Sequence, residues 1–387
     1  MKKILAPINY YLPSYKAGGP IHSLSNIIGE LDTEFVFKII TRDRDLGDRT
    51  SFSNIKSDTW TKINKTEIYY ISPNKLKISL ILKLLRSIDY DILYLNSFFC
   101  FSFSILFVIL LKLRLIHKSK VVIAPSGEFS PAALSIKSLK KKIYISLSKI
   151  LGLYPQSFIW QASSAFEKED IYAVFGTKCK VIIAPDLAPK LNSFNQVVPV
   201  TNIKKKGELK LVFLSRISQI KNLEGTLNIL DSLSLNGKMS FDIFGPIEDE
   251  IYWDQCLSLV NKLNKEKKIN VCYCGPISNE LVRITFSKYH LFFLPTKGEN
   301  FGYAILEALS AGCPVLISDK TPWVNLRNKG VGWDVPLNDF KAYREVITDV
   351  LNMDESVYRP WSKRAREYAL AFSQNKEYID MTRALFL

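Results

Sequence analysis

The chain has 387 residues and a formal net charge of +15, from 52 Lys+Arg against 37 Asp+Glu. That length is long for one core and comfortable for two, and a hydrophobic share of 47% excludes a disordered chain. The six cysteines (Cys100, Cys179, Cys256, Cys272, Cys274 and Cys313) form no CxxC pair and no regular framework, so they read as core thiols rather than disulfides or a zinc site.

The charge is uneven. Residues 1–196 carry 27 Lys+Arg against 15 Asp+Glu, and residues 197–387 carry 25 against 22. A basic first half points to an anionic partner, either lipid or nucleic acid. No segment resembles a nucleic-acid module, which leaves a membrane surface.

The start, Met1-Lys2-Lys3-Ile4-Leu5-Ala6-Pro7, begins like a signal peptide. Pro7 and Asn9 break the apolar run and no cleavage pattern follows, so it reads as the first strand of a cytosolic protein. Lys3–Ile8 is that strand. Gly18-Gly19-Pro20 leads into a helix to about Leu31, with Pro20 suited to the first turn. Phe35–Thr41 and Asp91–Leu95 are strands, followed by an apolar helix from about Phe99 to Leu115. Within it Phe98–Leu111 is the one transmembrane suspect. At about 14 residues it falls short of the roughly 20 a spanning helix needs, and it sits where a crossover helix belongs.

Val121–Pro125, Phe158–Ala162 and Val181–Ala184 are further short strands. Between them, Ile136–Leu153 interleaves Lys137, Lys140, Lys141, Lys142 and Lys149 with Leu139, Ile143, Tyr144, Ile145, Leu147 and Ile150. That pattern suits either a basic amphipathic helix on an anionic bilayer or a solvated helix docked on its sheet. Asn192–Lys206 is polar, holds Pro199 and ends in three lysines, and reads as a linker between a domain at 1–195 and one at 207–370.

The second half alternates more cleanly. Leu209–Leu214, Phe241–Phe244, Val271–Cys274, His290–Leu294 and Pro314–Ser318 are strands. Leu223–Leu233, Tyr252–Leu263 and Asn279–Lys288 are helices. Repeated βα units with apolar strands imply parallel sheets covered on both faces, an α/β fold of doubly wound domains. The tail, Ser362–Leu387, is helical.

The most informative run is Thr296-Lys297-Gly298-Glu299-Asn300-Phe301-Gly302-Tyr303-Ala304-Ile305-Leu306-Glu307. It leaves a buried strand and enters a helix, the crossover that opens on the ligand crevice of a doubly wound sheet. The helix start near Gly302 offers free N–H groups to an anion. If helical throughout, the run separates Glu299 from Glu307 by about 12 Å, too far to share a proton or a metal.

This segment, with Ala311-Gly312-Cys313-Pro314-Val315 after it, resembles the signature of glycosyltransferase family 4, retaining sugar transferases with the GT-B fold. The resemblance implies two Rossmann-like domains facing a central crevice, with the final helix, about 370–387, crossing back to the first. It implies that Glu299 contacts the transferred sugar, that Glu307 binds the ribose, and that the backbone at Asn300, Phe301 and Gly302 holds sugar or phosphate. Arg216 and Lys221, five apart after the Leu209–Leu214 strand, match the pair that embraces the donor diphosphate. The chemistry wants cations there because a departing nucleoside diphosphate gathers negative charge.

Gly275, Pro276 and Ile277 match a loop that meets the base through its backbone. Phe244-Gly245-Pro246-Ile247 is its sister. Gly18 and Gly19 resemble the family's double-glycine turn, where backbone approaches phosphate or acceptor.

On the acceptor side the candidates are His22, Asn96, Ser126 and Glu128. Asn96 and Ser97 stand where many relatives carry a histidine, and Gln161 stands where many carry another. In a retaining front-face reaction the leaving phosphate oxygen can itself accept the acceptor proton. The chain is read as having no Asp-x-Asp, and Arg216, Lys221 and helix ends supply positive charge, so neither metal nor cofactor is expected.

The implied function is transfer from a UDP- or GDP-sugar to a glycan or lipid-linked saccharide. It would serve bacterial O-antigen, capsule or exopolysaccharide assembly, in the cytoplasm at the inner face of the plasma membrane. The rivals are another GT-B enzyme, such as a nucleotide-sugar epimerase or a phosphorylase, and a non-catalytic nucleotide-sugar-binding protein.

Overall fold

The computed structural model describes residues 1–117, 119–189, 203–234, 236–266 and 269–387. The chain divides into two compact units, Met1–Lys190 with Asn375–Leu387, and Leu191–Gln374. Most of the Asn192–Lys206 linker segment lies outside the described residues.

The first unit is built on an eight-stranded sheet. Its strands are β1 (Lys2–Pro7), β2 (Phe35–Arg42), β3 (Trp60–Ile63), β4 (Thr66–Ile71), β5 (Ile92–Leu95), β6 (Lys120–Ile123), β7 (Ile159–Ala162) and β8 (Lys180–Ile183). They lie in the order β3-β4-β2-β1-β5-β6-β7-β8. All pairs are parallel except the β3–β4 hairpin. The central strands are apolar throughout because both faces are covered. Leu5, Leu93 and Leu95 join one core cluster. Ile4, Ala6, Ile92 and Tyr94 join the other.

The apolar run after β5 forms a π-helical turn, Phe101–Ile105, that continues into the helix Leu106–Lys112. Among the described residues no helix is long and apolar enough to cross a membrane. The chain's end packs into the second cluster, where Phe386 meets the rings of Phe35, Phe37 and Tyr94 at 5.7, 6.3 and 5.3 Å.

The second unit has a six-stranded, wholly parallel sheet. Its strands are β9 (Glu208–Leu214), β10 (Lys238–Phe244), β11 (Ile269–Gly275), β12 (Leu291–Leu294), β13 (Val315–Ser318) and β14 (Gly332–Val335). Their order is β11-β10-β9-β12-β13-β14. The order reverses between β9 and β12, and in the first sheet between β1 and β5. Ligands of doubly wound sheets bind beyond the carboxyl ends of the strands at such switch points. The loops carrying Arg216 and Glu299 leave β9 and β12. Those carrying Gly18 and Asn96 leave β1 and β5.

Two expectations are corrected here. Lys204, read as part of the polar linker between domains, is buried in the second unit. Its Nζ donates to the carbonyls of Lys205, Leu351 and Met353 at 2.9, 3.1 and 2.9 Å. Those three acceptors satisfy the ammonium, while burial lowers its pKa to about 8. Cys272 and Cys274 are exposed rather than core thiols, because β11 is an edge strand. They share a face with Asp242 of β10, and the three ligand atoms lie within 4.8 Å of one another.

Candidate functional site

In the second unit, the loops after β9, β12 and β13 are tied together by their backbones. Lys297 N donates to Ile220 O at 2.7 Å, and Glu299 N to Lys320 O at 3.0 Å. Thr296 Oγ1 donates to Ile220 O at 3.0 Å, and Asn222 Nδ2 to Pro295 O at 2.8 Å. The β9 loop is also zipped to the Gly245–Glu248 loop, with Ile217 N donating to Pro246 O and Glu248 N to Ile217 O.

That framework brings Lys221 and Glu299 into an ion pair, the two side chains only 12% and 15% exposed. Arg216 Nη1 pairs with Glu248 Oε1 at 2.7 Å, nearer the surface. Glu248 was not among the expected residues. The signal was available, since Gly245-Pro246-Ile247 was read as a crevice loop and Glu248 follows it. Each proposed diphosphate cation is thus held by a carboxylate.

The helix Tyr303–Ser310 starts immediately after Gly302, whose φ of 85° places it in the left-handed region. A Cβ there would lie 2.7 Å from Ile305 Cδ1 and 3.0 Å from Glu299 Cγ. The position therefore needs glycine both for its backbone and for space. Phe301 is buried against Tyr303, Trp323 and Phe372, and its carbonyl accepts from Trp323 Nε1. Asn300 is half-buried between Glu299 and this aromatic group.

Glu307 sits one turn into the helix. Burial raises its carboxyl to about pH 8, opposed by the Arg283 guanidinium on the Asn279–Phe286 helix. Gly275 closes β11 with a φ of 75°, and Gly245 N donates to its carbonyl at 3.0 Å. Pro276 is exposed and Ile277 half-buried beyond it.

In the first unit Gly18 caps the helix Gly19–Leu31 with a φ of 73°. The preceding loop is held by Asp45, which accepts from Ser14 Oγ, Tyr15 N, Lys16 N and Leu46 N. Asp43-Arg44-Asp45 has the Asp-x-Asp spacing that the sequence reading did not credit to the chain. Both carboxylates are buried and engaged, Asp43 with Arg44 and Ser57, Asp45 with the glycine loop. His22 lies half-buried in the first turn of the helix, where burial lowers its pKa.

Asn96 is buried and donates to Tyr94 O at 3.2 Å. Ser126 has a φ of 52°. Gly127 N next to it donates to Glu167, whose buried carboxyl is raised to about pH 7.

Glu128 departs from the expected acceptor-facing role. Its oxygens accept from Ser97 Oγ at 2.7 Å, Phe98 N at 2.5 Å and Phe99 N at 3.1 Å. It clasps the loop after β5, because three donors within the chain satisfy a carboxylate that burial would otherwise penalise.

The basic segment forms the helix Ser138–Ile150, with Lys137 just before it at a φ of 52°. Lys137, Lys140, Lys142 and Lys149 are exposed. Lys141 is corrected. It turns inward, its Nζ donating to Ala133 O at 2.5 Å and standing 5.2 Å from the Phe99 ring centroid. Desolvation there lowers its pKa.

Comparison with known proteins agrees with this organisation. Residues 198–368 match the family described as glycosyl transferases group 1. The chain is 23% identical over 300 residues to an uncharacterized 41.2 kDa protein in the cps region of Klebsiella pneumoniae, covering 76% of this chain and 77% of that one. It is 27% identical over 114 residues to O-antigen chain mannosyltransferase B of Escherichia coli, 28% of each chain. Among solved structures, sucrose-phosphate synthase from Thermosynechococcus elongatus superposes with a TM-score of 0.71 at 16% identity, covering 100% of this chain and 98% of that one. Anabaena Alr3699/HepE in complex with UDP and glucose gives 0.66 at 14% identity with the same coverage. The fold is GT-B, and its second unit carries a glycosyl transferases group 1 domain.

Proposed function

We propose that the chain is a retaining glycosyltransferase of family 4 type. It moves a hexosyl group from a UDP- or GDP-sugar to a glycan or lipid-linked saccharide in the assembly of a bacterial surface polysaccharide. The observation that carries the reading is the Lys221–Glu299 pair at the β9/β12 switch point, beside Arg216 and a glycine-capped helix start. The group 1 match over residues 198–368 supports it. So do the relatives named for a cps region and for O-antigen mannosyl transfer, and the UDP in the Anabaena neighbour.

In this reading the donor diphosphate takes Arg216 from Glu248 and Lys221 from Glu299. The two guanidinium and ammonium charges then offset the charge gathered by the leaving nucleoside diphosphate. Glu299, released from Lys221, accepts from hydroxyls of the sugar as positive charge builds at its anomeric carbon. The backbone at Asn300, Phe301 and Gly302 holds the anion, Glu307 the ribose, and Gly275-Pro276-Ile277 the base.

On the first unit, the Gly18-Gly19 turn brings its backbone to the donor, and His22 and Ser126 line the acceptor side. Asn96 supplies no base, so the acceptor proton passes to the departing phosphate oxygen as that bond breaks. The chain's own cations perform the neutralisation, and the reading calls for no metal or cofactor. A lipid-linked acceptor puts the enzyme in the cytoplasm, peripheral at the inner membrane face.

The test is incubation with UDP-, GDP- and ADP-hexoses and a lipid-diphosphate-linked saccharide, with the product's anomeric configuration read by NMR. Transfer with the donor's configuration kept is expected. An inverted product would overturn the retaining assignment, and donor binding with neither transfer nor release would overturn the enzymatic one.

A further inference from the structure

The helix Ser138–Ile150 has two apolar faces, and among the described residues only one of them is packed against the chain. Tyr144 and Ile145 pack on the core cluster that contains Phe98 and Trp160, and Ser148 is buried, its hydroxyl donating to Ile145 O at 2.8 Å. The Tyr144 hydroxyl shares a 2.6 Å hydrogen bond with that of Tyr154. This face fixes the helix to the first unit.

On the other side Leu139, Ile143, Leu147 and Ile150 are 71%, 51%, 49% and 79% exposed. Their spacing of four, four and three places them on one stripe. At about 100° per residue the stripe stands roughly opposite Ser148. Lys140 falls on one flank, and Lys142 and Lys149 on the other. Leu151 extends the stripe past the helix end at 57% exposed. Lys112 Nζ donates to Gly152 O at 3.3 Å, which brings the end of the Leu106–Lys112 helix, with exposed Leu113, against the same end.

Charge says what covers this stripe. Between Glu128 and Glu167 there are five lysines and not one Asp or Glu. A protein partner or a second copy of the chain would have to bring acidic residues of its own to answer those ammonium groups. An anionic bilayer accepts both features at once. Its acyl region takes the leucine and isoleucine side chains, while lysines on the two flanks extend their stems and keep their charges among the headgroups.

We propose that the outer face of the Ser138–Ile150 helix is a bilayer-inserting surface specific for anionic lipid. Its apolar ridge of Leu139, Ile143, Leu147 and Ile150 is edged by Lys140, Lys142 and Lys149. Lys141 has no part in it, being held inside by Ala133 and Phe99. The proposal rests, for its purpose, on the reading that the acceptor is lipid-linked. Its test does not depend on turnover.

The experiment is cosedimentation of the full chain with phosphatidylcholine vesicles with and without 30 mol% phosphatidylglycerol, at roughly 0.05 and 0.5 M salt. Binding is expected only with phosphatidylglycerol, and weakening at high salt as screening shortens. Replacing Lys140, Lys142 and Lys149 by Gln should lower low-salt affinity roughly a hundredfold, taking each lysine near the surface at its usual contribution. Replacing Leu139, Ile143 and Leu147 by Ser should abolish the residue of binding that survives high salt. Replacing Lys62 and Lys65, exposed on the β3–β4 hairpin, should change neither.

Circular dichroism melts check that each variant folds, and transfer to a short soluble acceptor should be unchanged in all of them. No binding to phosphatidylglycerol vesicles by the folded wild type overturns the proposal, as does equal binding by the lysine and serine variants. Concentration-dependent self-association that the serine variant loses, without vesicle binding, would assign the ridge to a second copy instead. Failure of sugar transfer with vesicle binding intact would strike the enzymatic reading alone.

Discussion

Lys221 and Glu299 meet as an ion pair across the loops of β9 and β12, both largely shielded from water. The two residues are 78 positions apart, and in the proposed reading the donor separates them. Lys221→Ala and Arg216→Ala should each lower turnover by about 10²-fold or more, the scale of losing one stabiliser of developing charge. Lys221→Ala should in addition weaken nucleotide binding, because Glu299 then stands unpaired beside the diphosphate. Steady-state kinetics with isothermal titration of the free nucleoside diphosphate measures both, and near-native turnover in the two variants would sink the assignment.

In the proposed reading Glu248 competes with the donor for Arg216. Their pair is partly exposed, and exposed pairs contribute only about 0.2–1 kcal/mol. Glu248→Gln should therefore tighten nucleoside diphosphate binding by roughly two- to fivefold, with little change in melting temperature. Weaker binding would show that Glu248 orients Arg216 rather than restraining it.

Glu307 makes a prediction about pH. Its folded carboxyl lies near 8, above the ordinary value of 4.5, so below 8 the folded chain keeps a proton that the unfolded chain loses above 4.5. Its contribution to stability is complete below 4.5 and falls away as pH rises to 8. The difference in melting temperature between wild type and Glu307→Gln should shift against the wild type across that window and level off beyond it. At pH 7 the glutamine copies a protonated carboxyl, so nucleotide affinity should barely change. At pH 9 the wild type offers a carboxylate to the ribose and the variant does not. Equal affinities for the two proteins at pH 9 would remove Glu307 from the ribose.

Two glycines should separate fold from function. Gly245 has a φ of 136°, and a Cβ there would stand 1.9 Å from Ser215 O, so Gly245→Ala should destabilise by at least about 3 kcal/mol. Gly275 has open space around it and only its φ of 75° against a side chain. Gly275→Ala should then destabilise by about 1 kcal/mol. Urea unfolding of the two variants ranks them, and the reverse order would contradict the packing of the β9 and β10 loops.

Most of the parallel strands were legible because burial on both faces writes them as apolar runs: Leu209–Leu214 and His290–Leu294 each agree with the structure to within a residue or so, whereas β14, a four-residue edge strand interrupted by Asp334, was not read. The crossover at Gly302 was legible for the same reason, together with its glycine. The β3–β4 hairpin was not, since Trp60-Thr61-Lys62-Ile63 lies at a sheet edge and carries too little apolar pattern. Composition could not say which way a lysine turns. Lys141 and Lys204 sit in basic runs, and only tertiary carbonyls and rings distinguish them from their solvated neighbours. Nor could it tell the inward apolar residues of the Ser138–Ile150 helix, Tyr144 and Ile145, from the outward ones, Leu139 and Ile143. Glu248 and the structural role of Glu128 eluded the reading because their partners come from other strand-end loops.

Phe301 leans on Phe372, 5.6 Å between ring centroids, and Trp323 lies against both. Phe372 is two residues from Gln374, where the chain leaves one compact unit for the other. The three rings therefore anchor the last turn of the Glu355–Ser373 helix, the final element of the second unit, to the loop that leaves β12.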